Sequence, residues 1–94
     1  MRLVLTTLAL ADLDEVERYI ARDDPAAAID TVLRLLAAAE LLARHPEAGR
    51  AGRVPGTREL VVTSTPYVMP YRVRDNMVEV LRVLHGRRRG PTRF

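Results

Sequence analysis

Arginine carries the most chemical information in this sequence. All 15 basic residues are arginines, and residues 48–94 contain ten of them against three acidic residues. Residues 1–47 show the opposite balance, with five arginines against nine acidic residues. A guanidinium group binds phosphate and carboxylate oxygens through two parallel hydrogen bonds. The sequence therefore predicts an acidic first half and a cationic second half, with an anionic partner for the second.

Eight of these arginines are candidate ligands for the anionic partner. Two lie in a loop, one lies on each of three predicted strands, and three follow the last strand. In chain order they are Arg50, Arg53, Arg58, Arg72, Arg82, Arg87, Arg88 and Arg89. We expect Arg72 and Arg82 to lie on the sheet face opposite the helices. The alternative is that the strand arginines pair with Glu59 and Glu79 on neighbouring strands.

Proton transfer and base stacking each have a candidate near these arginines. The ordinary pKa of His85 is close to neutral pH, so this residue could move a proton or simply hydrogen-bond the strand end. Tyr67 and Tyr71 could stack on nucleotide bases. Their spacing of four on a predicted strand favours the alternative, in which both tyrosines belong to the core.

Metal and nucleophile chemistry are poorly supported. His45 and His85 lack the spacing of metal ligands with each other or with a carboxylate pair, and the chain has no cysteine. Ser64, the single serine, has no histidine near it in sequence, and no glycine-rich phosphate loop is present. We therefore expect neither a metal nor a cofactor.

Two helices must position the second half of the chain. In the first helix the apolar residues recur at spacings of four, three and four, at Ala9, Leu13, Val16 and Ile20. Thr7 is the predicted N-cap of this helix. Asp24 and Pro25 are the predicted cap and first residue of a second, more apolar helix. Together they predict a helical hairpin over residues 8–44.

Strand signals surround this hairpin. Arg2–Thr6 is a predicted strand, and the apolar period changes to two in the second half. Tyr67–Val73 and Met77–Leu84 are the last two strands of a predicted antiparallel meander over residues 57–85, followed by a short basic tail, 86–94. The order β-α-α-β-β-β predicts one α+β domain in which the helical hairpin packs on an antiparallel sheet.

The sequence also limits where the protein works. No apolar run approaches the ~18 residues that a membrane-spanning helix needs. The first residues lack the long apolar stretch and cleavage site of a signal peptide. These features predict a cytoplasmic protein that does not contact membranes.

Several segments together resemble the RelE/ParE family of toxins from type II toxin–antitoxin systems. The most specific are the Tyr-Arg-Val and Arg-Val-Leu-His-Gly elements, and the similarity covers nearly the whole chain. The matching segments are Ala11-Asp12-Leu13, Tyr19-Ile20, Pro25–Ala28, Gly49-Arg50, Val54–Val62, Pro66-Tyr67-Val68, Tyr71-Arg72-Val73 and Val78–Gly86.

This resemblance implies a toxin that inhibits growth until a cognate antitoxin, encoded beside it, binds and neutralises it in a hetero-oligomer. It also implies the same β-α-α-β-β-β order. RelE-like members cut messenger RNA on the ribosome with basic side chains and no metal. ParE-like members instead poison DNA gyrase and are not nucleases.

The sequence departs from the ribonuclease pattern where that pattern needs cations. Val68 follows the tyrosine that opens the middle strand, where RelE-type enzymes carry a catalytic arginine. Glu59 and Val61 fall where those enzymes have basic residues on the preceding strand. This favours a non-catalytic, ParE-like toxin. The alternatives are a RelE-like, metal-independent ribonuclease and, from another class, a non-toxic nucleic-acid-binding module. A ribonuclease would use Arg82, His85, Arg87 and Arg88.

Overall fold

The computed structural model describes residues 1–87 of the chain. Within this range the helices and strands follow the predicted order, with two additional short strands. The elements are β1 (Arg2–Leu5), α1 (Thr7–Ala21), α2 (Pro25–Arg44), β2 (Arg50–Ala51), β3 (Arg58–Val61), β4 (Tyr67–Arg74), β5 (Met77–Val80) and β6 (Leu84–His85).

The two helices begin at capping side chains. Asp24 caps α2 as predicted, because its carboxylate accepts the N–H of Ala27 at 3.1 Å. The cap of α1 is Thr6, so the prediction of Thr7 is wrong by one residue. Thr6 keeps extended backbone angles because its N–H still bonds the carbonyl of Val80 at 3.1 Å. Its side chain is therefore the one that meets the first free amides of the helix.

The strands form one mixed sheet in the order β1-β5-β4-β3-β2, with β6 also pairing with β4. The pairs β3–β4 and β4–β5 are antiparallel, as the meander predicts. The pair β1–β5 is parallel, so the prediction of a wholly antiparallel sheet is wrong at this edge. The helical hairpin separates β1 from the meander, and alternation of apolar residues carries no information about the direction of so distant a pair.

The last predicted strand of the meander, Met77–Leu84, is divided in two by a β-bulge. Tyr71 lies opposite Val80, and Val68 lies opposite Leu84. The partners are thus three positions apart on β4 but four positions apart on the facing strand. One extra residue inserted in this way reverses which side chains face the helices.

The bulge also explains a proline in a central strand. Pro70 lies on β4, where a residue without an N–H cannot complete the ladder of hydrogen bonds. Its carbonyl accepts the N–H of Leu81 at 2.9 Å, but it has no N–H to return to the Leu81 carbonyl. The hydroxyl of Thr6 donates to that carbonyl instead, at 2.8 Å. Thr6 therefore joins the start of α1 to the bulge.

The core lies between the helical hairpin and the sheet. Tyr67 and Tyr71 belong to it, with 7% and 0% of their surfaces exposed, so the core interpretation of both tyrosines is confirmed. The Tyr71 hydroxyl accepts the N–H of Gly49 at 2.8 Å and donates to the carbonyl of Pro46 at 2.7 Å. The other buried members are Ala9, Leu13, Val16, Leu35, Ala39, Leu42, Val62, Met69, Val78, Val80 and Val83. None of the helices in residues 1–87 is long and apolar enough to cross a membrane.

Candidate functional site

The sheet face opposite the helices, called here the open face, carries a group of arginines. Alternation on β4 places Arg72 and Arg74 on this face, because Tyr71, which precedes Arg72, points into the core. Register places two more on it: Arg2 pairs with Met77 at the β1 edge, and Arg50 pairs with Glu59 on β3. We call Arg2, Arg50, Arg72 and Arg74 the open-face cluster.

Two carboxylates neutralise much of this cluster. Glu79 accepts from Arg72 Nε at 2.8 Å and from Arg74 Nε at 3.1 Å. The hydrogen bond from Arg72, with the charges of both arginines, holds the pKa of Glu79 below its ordinary value. Glu59 lies 3.7 Å from a guanidinium nitrogen of Arg50. Arg72 therefore lies on the open face, as expected, and it also pairs with Glu79, as the alternative proposed.

Arg82 is not on the open face, so its predicted position is wrong. Its Nε and Nη2 atoms donate to the two carboxylate oxygens of Asp12 on α1, at 2.8 and 3.0 Å. The N–H of Val83 also donates to Asp12, at 2.9 Å. Val78 and Val80 point into the core, so alternation brings Arg82 to the same, helix-facing side, and the bulge then turns Val83 to that side as well. The hydrogen bond with Asp12 raises the pKa of Arg82.

Asp12 is the residue that sequence reasoning missed at this point. It lies beside the apolar stripe of α1 and within the family-like Ala11-Asp12-Leu13 segment, and both features were signals. A carboxylate that accepts three hydrogen bonds from one bulge fixes the position of that bulge on the helix.

The loop arginines do not converge on one face. Arg53 donates its backbone N–H to Glu59 at 2.9 Å, and its guanidinium has no ion partner within residues 1–87. Arg58 pairs in register with Tyr71, so it lies on the face that carries the helices. Its Nη1 atom donates to the carbonyl of Gly49 at 2.8 Å. Arg58 therefore supports the loop before β2 and is separate from the open-face cluster.

The chain end brings His85 and Arg87 together. The backbone N–H of Arg87 donates to His85 Nδ1 at 3.2 Å, so neutral His85 carries its proton on Nε2. The ring of His85 packs edge-on against Tyr67, with centroids 5.8 Å apart. The Arg87 side chain is exposed, and no ion pair joins it to another described residue. The candidate residues Arg88 and Arg89 lie outside the described residues.

Arg82 and His85 line one cleft of about 440 Å³ between the helices and the ends of β4 and β6. Its wall includes apolar side chains, such as Ile20 and Val83, and the exposed ring of Tyr19. With Arg82 bound to Asp12, the cleft is suited to binding more than to proton transfer. In the described part of the chain, no three histidine or acidic side chains are grouped as metal ligands.

The helical hairpin also exposes apolar side chains. Tyr19 on α1 is 66% exposed, and Ile29 and Leu33 on α2 are each 59% exposed. Ile29 and Leu33 are four residues apart and therefore share one side of α2. Exposed apolar side chains grouped in this way are typical of surfaces that bind another protein.

Comparison with known proteins gives consistent similarities. Residues 3–90 match the family model described as the ParE toxin of the parDE type II toxin–antitoxin system. The chain is 44% identical over 90 residues to toxin Y4kP of Sinorhizobium fredii, covering 96% of this chain and 93% of that protein. It is 44% identical over 87 residues to toxin RelE2 of Caulobacter vibrioides, covering 93% and 97%. A solved structure of the chromosomal ParDE system from P. aeruginosa superposes with a TM-score of 0.81 at 31% identity, covering 90% of this chain and 95% of that one.

Proposed function

Because the chain belongs to the ParE family of type II toxin–antitoxin toxins, we propose that it arrests growth by poisoning DNA gyrase. The family gives the partner class as well: the partner is an antitoxin. We place the protein in the cytoplasm, where gyrase is found.

The observation that supports gyrase over messenger RNA is an apolar pair on the open face. Val61 and Val68 lie directly opposite each other on β3 and β4. Both occupy positions where RelE-type ribonucleases carry cations, and Val61 is 52% exposed. Metal-independent RNA cleavage needs positive charge and proton-transfer groups at the scissile phosphate. Two valines supply neither.

The bonding of Arg82 supports the same proposal. A guanidinium bound along one edge by a carboxylate, with its pKa raised, stays protonated and cannot act as a general acid. His85 therefore has no partner for acid–base catalysis in Arg82. The open-face cluster remains suited to binding an anionic or protein surface.

The second candidate function is RNA cleavage on the ribosome. Two relatives favour it by name: toxin RelE2 and toxin RelE3 of Caulobacter vibrioides, the latter 34% identical over 80 residues. His85 with the exposed Arg87 would have to supply the chemistry that the valine pair does not.

The two functions are separated by one pair of assays on the purified chain. Incubated with gyrase, ATP and relaxed plasmid, a gyrase poison should block supercoiling and accumulate linear DNA that protease treatment releases. When a gyrase poison is incubated with ribosomes programmed with messenger RNA, primer extension should show that the message stays intact. Intact gyrase activity together with cleaved message would reverse the assignment.

A matched variant sharpens the comparison. His85→Ala removes the side chain that any acid–base mechanism needs, and His85 is only half-buried, so the fold should persist. Gyrase inhibition should be unchanged in this variant. A loss of growth arrest by a factor of roughly 10² or more, with circular dichroism and antitoxin binding unchanged, would instead indicate a ribonuclease.

A further inference from the structure

The open face is divided along its strands into an apolar end and a cationic end. At the apolar end Val61 on β3 lies opposite Val68 on β4, and Val68 also lies opposite Leu84 on β6. Directly opposed residues on neighbouring strands have Cβ atoms about 5 Å apart, so the three side chains form one row. Val61 is 52% exposed, and the other two are half-buried. We call Val61, Val68 and Leu84 the aliphatic row.

The cationic end lies further along β4. Arg72 and Arg74 follow Val68 on this strand, about 13 and 20 Å away at roughly 3.3 Å per residue. Both donate through Nε to the carboxylate of Glu79. Their Nη atoms form no hydrogen bond with another residue in the range 1–87. One carboxylate thus holds two guanidinium groups side by side, and their free edges are suited to a further acidic group.

The combination of these two ends favours a protein ligand over a nucleic acid. Affinity for nucleic acid comes mainly from cations that neutralise successive phosphates. The aliphatic row offers no donor to a phosphate, and Glu59 and Glu79 place two carboxylates on the same face. A protein surface can match an apolar row with an apolar side chain and free guanidinium edges with a carboxylate.

From this geometry we infer that the open face is the surface through which the chain contacts gyrase, with an apolar gyrase side chain on the aliphatic row and an acidic one bound to Arg72 and Arg74. The inference rests on the proposed function and names the surface and the chemistry of contact. Val68 and Leu84 are already half-buried, so a gyrase side chain seated on them would complete a well-packed apolar centre.

A second copy of the chain fits the open face less well. In a twofold pair each copy presents the same face to the other. Among the described strands this face carries two carboxylates, Glu59 and Glu79, and both already lie beside arginines of their own chain. The free guanidinium edges of one copy would therefore find no unpaired carboxylate on the other.

Val61→Lys tests the apolar end. The concentration of chain that halves supercoiling by purified gyrase is measured for the native chain and for the variant. A lysine in the aliphatic row sets an unpaired charge against an apolar gyrase side chain, so this concentration should rise roughly tenfold or more. Leu8→Lys is the matched control, because Leu8 is 59% exposed on α1, on the other side of the sheet. It should leave inhibition unchanged, and circular dichroism should show both variants folded.

Arg74→Glu tests the cationic end. It should raise the half-inhibiting concentration by roughly tenfold, because it sets a carboxylate against the acidic gyrase side chain. Arg74→Gln removes the charge without adding a carboxylate beside Glu79, and it should have a smaller effect in the same direction. Arg22→Glu is the matched control, since Arg22 is an exposed arginine at the end of α1 without an ion pair among the described residues. Equal effects of the two reversals would show that only overall charge matters and would overturn the assignment of an acidic group to Arg74.

The outcomes separate this inference from the proposed function. If the native chain inhibits gyrase and Val61→Lys inhibits it equally well, the contact surface lies elsewhere and the proposed function stands. If Val61→Lys inhibits more strongly and binds DNA more tightly, the face contacts nucleic acid and the inference is wrong. If sedimentation shows a dimer that Val61→Lys dissociates, a second copy occupies the face and the inference is wrong as well. If the native chain leaves gyrase active, the proposed function and the inference both fail.

Discussion

Replacing Thr6 with valine should destabilise the protein more than any other isosteric change at the start of α1. The Thr6 hydroxyl oxygen accepts the N–H of Ala9 at 3.1 Å and donates to the carbonyl of Leu81 at 2.8 Å. The second bond replaces the one that Pro70, which lacks an N–H, cannot make. Valine has nearly the same shape as threonine and removes both bonds.

The magnitude follows from the two groups that lose their partners. Loss of a threonine N-cap costs about 1 kcal/mol of unfolding free energy. A partly buried carbonyl left without a donor costs about 1–3 kcal/mol more. The sum, about 2–4 kcal/mol, is a large part of the 5–15 kcal/mol expected for a domain of this size. It corresponds to a fall in Tm of roughly 8–30 °C.

Urea unfolding followed by circular dichroism measures this loss, and two further variants control it. Thr6→Ser keeps both hydrogen bonds and should lose only the small contribution of one methyl group, under about 1 kcal/mol. Pro70→Ala added to Thr6→Val returns an N–H opposite Leu81 and should recover part of the loss. If Thr6→Val and Thr6→Ser are equally stable, the explanation of how the bulge is held is wrong.

Three other predictions test the remaining parts of the structure. Tyr71→Phe should lower the unfolding free energy by about 1–3 kcal/mol in urea titrations, because it leaves two backbone groups of the 46–49 loop without a partner. The bonds from Arg72 and Arg74 lower the pKa of Glu79. The stability that these bonds contribute is therefore fully present above pH 4.5, the ordinary pKa of the group, and is lost as the pH falls below that value. The unfolding free energy, measured from pH 6 to pH 3, should therefore decrease more steeply for the native chain than for Glu79→Gln. His85→Ala should keep its growth arrest in cells that express it from a tightly repressed promoter, because gyrase poisoning requires no proton transfer.

Local patterns in the sequence predicted what depends on neighbouring residues. The spacing of apolar residues gave α1 its buried face, and Asp24-Pro25 located the start of α2 within one residue. The cap of α1 was misplaced because Thr6 and Thr7 are chemically equivalent in sequence. Only the bond between Thr6 and Val80, across the sheet, decides which of them keeps extended backbone angles.

Features that depend on register were beyond sequence reasoning. Arg72 and Arg82 occupy similar positions in their predicted strands, yet they lie on opposite faces. Val78 and Val80, and not Leu81, belong to the core cluster, so alternation in this strand takes Arg82 to the helix side. Arg58 was separated from Arg72 by its pairing with Tyr71, which alternation within one strand cannot reveal. Arg74 is absent from the predicted candidates, although its spacing of two from Arg72 already indicates that both lie on the same face.

The fold uses its few second-half carboxylates to hold arginines at the centre of the sheet. Glu79 binds Arg72 and Arg74, and Glu59 lies beside Arg50, so two carboxylates offset most of the positive charge in the middle of the open face.

Uncompensated positive charge is therefore found at the boundaries of the sheet. Arg2 lies at the β1 edge, Arg53 in the loop before β3 and Arg87 after β6, and each has no ion pair among the residues described. A partner that neutralises this protein gains most by contacting the periphery of the sheet, where each new carboxylate meets a cation that is still hydrated and unpaired. An antitoxin that follows these edges as an extended chain would meet that requirement better than a compact domain docked on the centre of the face.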